Sequence, residues 1–170
     1  MKSVSVETLS GFPLFRGISR DKLPNVGALV TVEDVKPGEV IITEGTVGDT
    51  IYLLLAGEVE VTKDLVLKVS KQSIDAAAKT LNRYSADLRL VFGEIALLDE
   101  KGERSATVTA VTPCILGVIL IEDFLKLAKE DIEIGYCIFK NMAVQLSEQL
   151  KKANEDTLNV TTALSFALQR

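Results

Sequence analysis

The 170-residue chain contains no histidine. That absence removes imidazole metal sites, Ser-His-Asp and Cys-His nucleophile systems, and the side chain that most readily senses pH near neutrality. No metal and no catalytic residue is expected, and the reading is not that of an enzyme. Basic residues are in deficit: Lys and Arg number 19 against 24 Asp and Glu, for a net charge of −5 and an isoelectric point near 4.9. Such a balance argues against a protein that neutralises a phosphate backbone, so no DNA partner is expected. Cysteine is scarce, with only Cys114 and Cys137, each inside an apolar stretch where a thiol behaves as a small hydrophobe. This usage suits a reducing, cytoplasmic compartment. Long apolar runs are missing as well. The longest, Ile115 to Ile121, falls far short of the roughly 18 residues a spanning helix needs, and no apolar signal core follows Met1, so no membrane partner is expected. What remains is a chain with 47% hydrophobic residues, enough for one domain with a single sizeable core.

Three stretches divide the chain. Residues 1–31 form an N-terminal helical entry, broken at Gly11-Phe12-Pro13. From Val32 to Ile121 the apolar period shortens to two. Segments such as Thr50 to Leu55 and Glu58 to Thr62 are separated by Pro37-Gly38, Gly45, Gly48-Asp49 and Ala56-Gly57. Turns at this spacing predict a barrel or sandwich of antiparallel strands. Within it, residues 64–91 read as an insertion, with helical character from Ser73 to Asn82. Residues 122–170 are mostly helical, and Met142, Leu146, Leu150, Ala153, Thr157, Val160 and Leu164 follow one another at steps of three or four. This stripe needs a partner. Its first turns are expected on the domain itself and its later turns on the same helix of a second subunit, in a homodimer.

One constellation carries chemistry. In the run Phe92 to Val108, a Gly93-Glu94 pair precedes a helix-like turn and Arg104-Ser105 follows it. A helix opening near Glu94 and Ile95 aims free N–H groups at an anion, and a guanidinium 10 residues beyond Glu94 returns to the same pocket with a fork suited to two phosphate oxygens. Ser105 adds a hydroxyl. A carboxylate beside a phosphate has a purpose if it accepts hydrogen bonds from hydroxyls, as from a ribose 2′-OH. The plainer alternative is a Glu94–Arg104 ion pair closing a surface loop, which is the commoner arrangement and contributes little to stability. The residues alone leave both open.

The whole string resembles the cyclic nucleotide-binding domain family, which includes the catabolite activator protein and the regulatory subunits of cAMP-dependent kinase. The turn residues Pro37-Gly38, Gly45, Asp49 and Gly57, the entry Phe12 to Ile18, and the cassette Phe92 to Leu98 with Arg104 to Val108 carry the likeness over nearly all of residues 12–160. The resemblance implies an α+β, mainly β fold: an antiparallel, jelly-roll-like β-roll with N-terminal helices, a short cassette helix and a long C-terminal helix. It implies that Glu94 takes the ribose 2′-OH, that Arg104 and Ser105 take phosphate oxygens, and that Gly93, Ile95 and Ala96 supply the cassette backbone. Val59 would line the base pocket, and Gln149 is a possible base contact. The chain departs from the family at Arg89-Leu90, where a Gly-Asp turn is usual, and in the longer 64–91 connection.

The expected function is therefore a stand-alone sensor or regulatory domain. Its ligand is cAMP, favoured over cGMP, and its output passes through movement of the C-terminal helix about a hinge near Glu122 to Lys129 to an unknown protein effector. No cofactor is expected. Residues 132–170 carry four basic and four acidic side chains with no basic face. The chain ends at Arg170 without room for a winged helix-turn-helix, so direct transcription control is not expected. The alternative is a β-roll interaction or dimerisation module that has lost its ligand.

Overall fold

A computed structural model describes residues 4–64 and 78–168. The chain enters through helix α1 (Val6–Ser10), a 3-10 turn (Pro13–Phe15) and helix α2 (Leu23–Gly27). Ser5 starts α1 by accepting the Thr8 amide on its Oγ at 3.1 Å, which satisfies one of the amides a helix start leaves unpaired.

Among the described residues eight strands follow, all pairing antiparallel. β1 (Thr31–Val35), β3 (Thr50–Ala56), β6 (Val91–Phe92) and β8 (Cys114–Leu120) form one sheet in the order β1-β8-β3-β6. β2 (Val40–Ile42), β4 (Glu58–Asp64), β5 (Ala78–Ser85) and β7 (Thr107–Ala110) form the other in the order β2-β7-β4-β5. This is the antiparallel β-roll with flanking helices expected from the sequence.

Alternation along β3 divides the interior in two. Leu53 belongs to a core shared with Phe12, Phe15, Val26 and the C-terminal helices. Its neighbour Leu54 points the other way, into the roll, against Val59, Phe92, Val108 and Leu116. Both leucines are fully buried, and each contributes roughly 1.5–3 kcal/mol through its removal from water. One strand thus ties the helical layer to the roll.

One sequence expectation needs correction. The stretch read as helical from Ser73 to Asn82 is strand where it is described: Ala78 pairs with Asp64, Thr80 with Thr62 and Asn82 with Val61. Ladder pairing with β4 overrides the local helix preference of Ala-Lys-Thr-Leu-Asn. Residues 65–77, the rest of that connection, lie outside the described residues. The expected hinge at Glu122 to Lys129 is itself regular helix, α4 (Ile121–Glu130). The backbone breaks one residue later, at Asp131, which is extended at φ −123° and ψ 96°.

Asp131 starts the last helix, α5 (Ile132–Leu168). Its Oδ1 accepts the amides of Glu133 at 3.1 Å and Ile134 at 3.3 Å. It also takes Lys22 Nζ at 2.9 Å, while the same ammonium reaches Glu133 Oε2 at 2.8 Å. A carboxylate at a helix N-terminus is favoured by the helix dipole. The first half of α5 packs inward through Ile134, Ile138 and Met142, and Asn141 Nδ2 donates to the carbonyls of Leu14 at 2.9 Å and Arg16 at 2.8 Å. Beyond Leu146 the helix leaves the body of the protein, and every described side chain is exposed. Among the described residues, no helix is long and apolar enough to cross a membrane.

Candidate functional site

The site begins where β6 ends. Gly93 follows Phe92 at φ +81°, a conformation that side chains disfavour. A Cβ there would also lie 2.6 Å from Arg104 Nη1 and 3.0 Å from the Thr50 carbonyl. Glycine is needed at this position on both counts. Glu94 then caps the four-residue helix α3 (Ile95–Leu98).

Arg104 is the one buried charged residue among those described, at 6% exposure. Its Nη1 donates to the carbonyls of Thr50 and Gly93, each at 2.9 Å, and its Nη2 donates to Thr50 Oγ1 at 2.9 Å. The guanidinium also lies 5.9 Å from the Tyr52 ring centroid. Gly48 approaches so closely that a Cβ on it would overlap Nε, Cζ and Nη2. Burial lowers the guanidinium pKa from its ordinary value, and Tyr52, Asp49 and Glu94 oppose that shift. Arginine nevertheless stays charged. Three of its five N–H donors are used in these bonds, so two remain for an anion.

Arg104 forms one wall of a cavity of about 150 Å³. Gly93, Glu94, Ile95, Ala96 and Ser105 line it, as does Gln149, which reaches it from α5. Ile42, Val61, Tyr84, Leu90, Val91, Phe92, Ala106 and Val108 complete the lining, mostly from the roll. The cavity is smaller than the roughly 300–1,000 Å³ of a ligand-filled pocket. Val59 is not among the lining residues. It is fully buried in the roll core, and Val61, two residues on and on the same face of β4, takes the cavity position.

The electrostatics differ from those of a simple surface pair. The described ion pairs are Arg20–Glu7, Lys22 with Asp131 and Glu133, and Arg83–Glu60; Glu94 and Arg104 do not form one. Burial pushes the Glu94 carboxyl above its usual range, against a backbone hydrogen bond and the Arg104 charge, which both pull it down. A carboxylate kept partly dry and without a cationic partner is an acceptor awaiting hydroxyl donors. Ser105 is exposed at the rim.

Sequence reading missed Thr50, Tyr52 and Gly48, which surround the guanidinium. Gly48-Asp49 stands out in the sequence as a turn, but its contact with Arg104 does not. Arg89 is the other surprise: it adopts the left-handed conformation at φ +51°, where the usual glycine of this turn would be unstrained. Its guanidinium lies 5.8 Å from the Phe12 ring centroid and so reaches the N-terminal segment.

Fold and site together define a two-sheet β-roll whose cassette turn, buried arginine and half-buried glutamate meet at one cavity. Residues 32–131 match the cyclic nucleotide-binding domain family, and the chain belongs to it. The cAMP-dependent protein kinase regulatory subunit of Yarrowia lipolytica is 35% identical over 108 residues, 64% of this chain and 24% of that subunit. The cyclic AMP receptor protein of Thermus thermophilus is 27% identical over 146 residues, 86% of this chain and 61% of the receptor. The crystal structure of the Thermus thermophilus catabolite activator protein shares the fold, with a TM-score of 0.71 at 24% identity over 88% of this chain and 63% of that one. The chain therefore spans only part of the length of these curated relatives.

Proposed function

We propose that the chain is a regulatory domain that binds a cyclic nucleotide in the cavity beside Arg104, with cAMP preferred over cGMP. The observation that carries this reading is a buried guanidinium with two N–H donors outside its described bonds, in the same cavity wall as a carboxylate that forms no ion pair among the described residues. Phosphate suits the first and a ribose 2′-OH the second. Ser105 adds a hydroxyl for the phosphate, and Gly93, Ile95 and Ala96 line the same cavity along the cassette. Gln149 offers the paired donor and acceptor that suit the adenine N6/N7 edge, and the two relatives described above are both named for cyclic AMP.

Signalling follows from differential affinity. A ligand that draws the cassette inward favours one placement of α4 and α5 over another, a coupling typically worth ~1–3 kcal/mol. The break at Asp131 is the natural pivot. The α5 helix supports a homodimer: Ile132, Tyr136, Phe139, Ala143, Leu146, Leu150, Ala153, Thr157, Val160 and Leu164 succeed one another at alternating steps of four and three, the seam of a two-stranded coiled coil. Ile132 is 79% exposed, Tyr136 64%, Leu150 62% and Val160 69%, so these four seam residues are open to a second helix. The unidentified effector then reads the pair. Two free cysteines suit a reducing, cytoplasmic setting, and the role is regulatory rather than catalytic.

Titration calorimetry of ligand-stripped protein with cAMP, cGMP and linear 5′-AMP tests the reading. Binding of cAMP that exceeds cGMP, with none of 5′-AMP, is the expected result. Arg104→Ala should remain folded and lose affinity by at least about 100-fold. No binding of any cyclic nucleotide to the intact protein would leave the ligand-free interaction module as the better description.

A further inference from the structure

Arg104 stands between two cavities. The nucleotide cavity is one; the other, of about 250 Å³, is lined by Thr43, Thr46, Asp49, Thr50 and Tyr52 along with Arg104 itself. Thr50 and Tyr52 line the second cavity and not the first. They therefore have no direct reach to a ligand beside Glu94.

Their hydroxyls are linked to the guanidinium in a defined sense. Thr50 Oγ1 accepts from Arg104 Nη2 at 2.9 Å, so its own proton goes elsewhere, and it is donated to Tyr52 Oη at 3.0 Å. Tyr52 is fixed in turn by stacking on Phe92, with ring centroids 5.3 Å apart and planes at 14°. The Thr50 and Gly93 carbonyls take both N–H groups of Nη1 and so orient the planar fork from one end. The Thr50 hydroxyl is the acceptor that anchors the other end, at Nη2. Gly48 closes the space above.

We propose that the hydroxyl of Thr50, oriented by Tyr52, makes Thr50 a positioning residue that anchors the Nη2 end of the Arg104 guanidinium and so steadies the direction of its two free donors. The inference deepens the nucleotide-binding reading and rests on it for its effect on affinity, though not for its effect on the arginine. Bidentate recognition of an anion depends on the direction of the fork as well as its charge. Removal of the hydroxyl leaves the charge in place and loosens the Nη2 end of the fork.

The test uses the full chain with 15N-labelled arginine, first without ligand and then with cAMP. Thr50→Val, which exchanges the hydroxyl for a methyl, should raise the solvent exchange rate of the Arg104 side-chain N–H groups about tenfold and weaken cAMP about tenfold. Thr50→Ser should restore both to within about twofold, because it keeps the acceptor. Tyr52→Phe, which removes only the second hydroxyl, should give a smaller change in the same direction and serves as the second variant if Thr50→Val does not fold. Unchanged exchange in Thr50→Val, or in Tyr52→Phe where only that variant folds, overturns the proposal. So does a Thr50→Ser protein as impaired as Thr50→Val, since the methyl group would then be what matters. Faster exchange in Thr50→Val with rescue by Thr50→Ser, in a protein that binds no cyclic nucleotide, supports the positioning role and rejects the ligand instead.

Discussion

The two halves of α5 are built on different terms. Up to Met142 the helix buries one face on its own chain: Ile134, Ile138 and Met142 are each at most 2% exposed. From Leu150 on, its large apolar residues face water, with Leu158 at 66%, Val160 at 69% and Phe166 at 71%. Yet the spacing of apolar residues along the outer face does not change between the halves. Spacing alone does not separate the two roles, and burial does: the inner face of the near half is core, whereas the outer face, which alone continues into the far half, is a surface that a second helix would cover.

The largest effect should come from the near half. Ile138→Ala removes buried volume from the helical core and should lower the free energy of unfolding by about 2–5 kcal/mol, read from denaturant unfolding at a single protein concentration. A loss under about 0.5 kcal/mol would mean that the near half is not core, and the contrast would collapse. The far half should answer to a different measurement. Leu150→Glu leaves the body of the protein untouched, so sedimentation equilibrium should show conversion of the dimer to a monomer. The unfolding midpoint of that monomer should match that of dilute wild-type protein. A wild-type chain that is monomeric at every concentration would show that the outer stripe is not a self-association surface.

The smallest effect concerns the clamp at the start of the near half. The Asp131 carboxyl is held below its usual range, first by the hydrogen bond from Lys22 and then by the amides of Ile134 and Glu133. Lys22 is shifted upward, first by Glu133 and then by Asp131. A carboxylate with a depressed folded-state pKa contributes stability above its unfolded value, and loses it as pH falls through the folded one. The melting temperature of Asp131→Asn should thus lie slightly below that of wild type at pH 6 and converge on it below about pH 4. The pair is solvent-accessible, so the gap is expected to be small. A constant gap down to pH 2.5 would remove the charge from the explanation and leave only the helix cap.

Much of the roll is legible in the sequence because short apolar or alternating segments lie between turn glycines. β1, β3, β4 and β8 fall in such segments. β5 is not legible, since Ala78 to Asn82 prefers helix locally and is held extended only by its ladder with β4. β6 has two residues, too few for any period to register. At the site, Gly93, Glu94, Ile95, Ala96, Arg104, Ser105 and Gln149 share a cavity as the sequence suggests. Val59 does not, because alternation identifies which face of a strand a residue occupies and says nothing of depth. Thr50 was beyond reach for another reason: 54 positions separate it from Arg104, and a contact closed by the topology of a roll leaves no local pattern.

One consequence of the unbroken α5 concerns leverage. Its 37 residues make a rod about 55 Å long. A tilt of about 10° at the Asp131 end carries the far tip roughly 10 Å, and carries Gln149, nearer the fulcrum, about half as far. The cavity and the outer seam thus lie on the same arm at different radii. If the proposed ligand draws Gln149 inward, a closure of a few ångströms would become a displacement about twice as large at the tip, a mechanical advantage supplied by helix length alone.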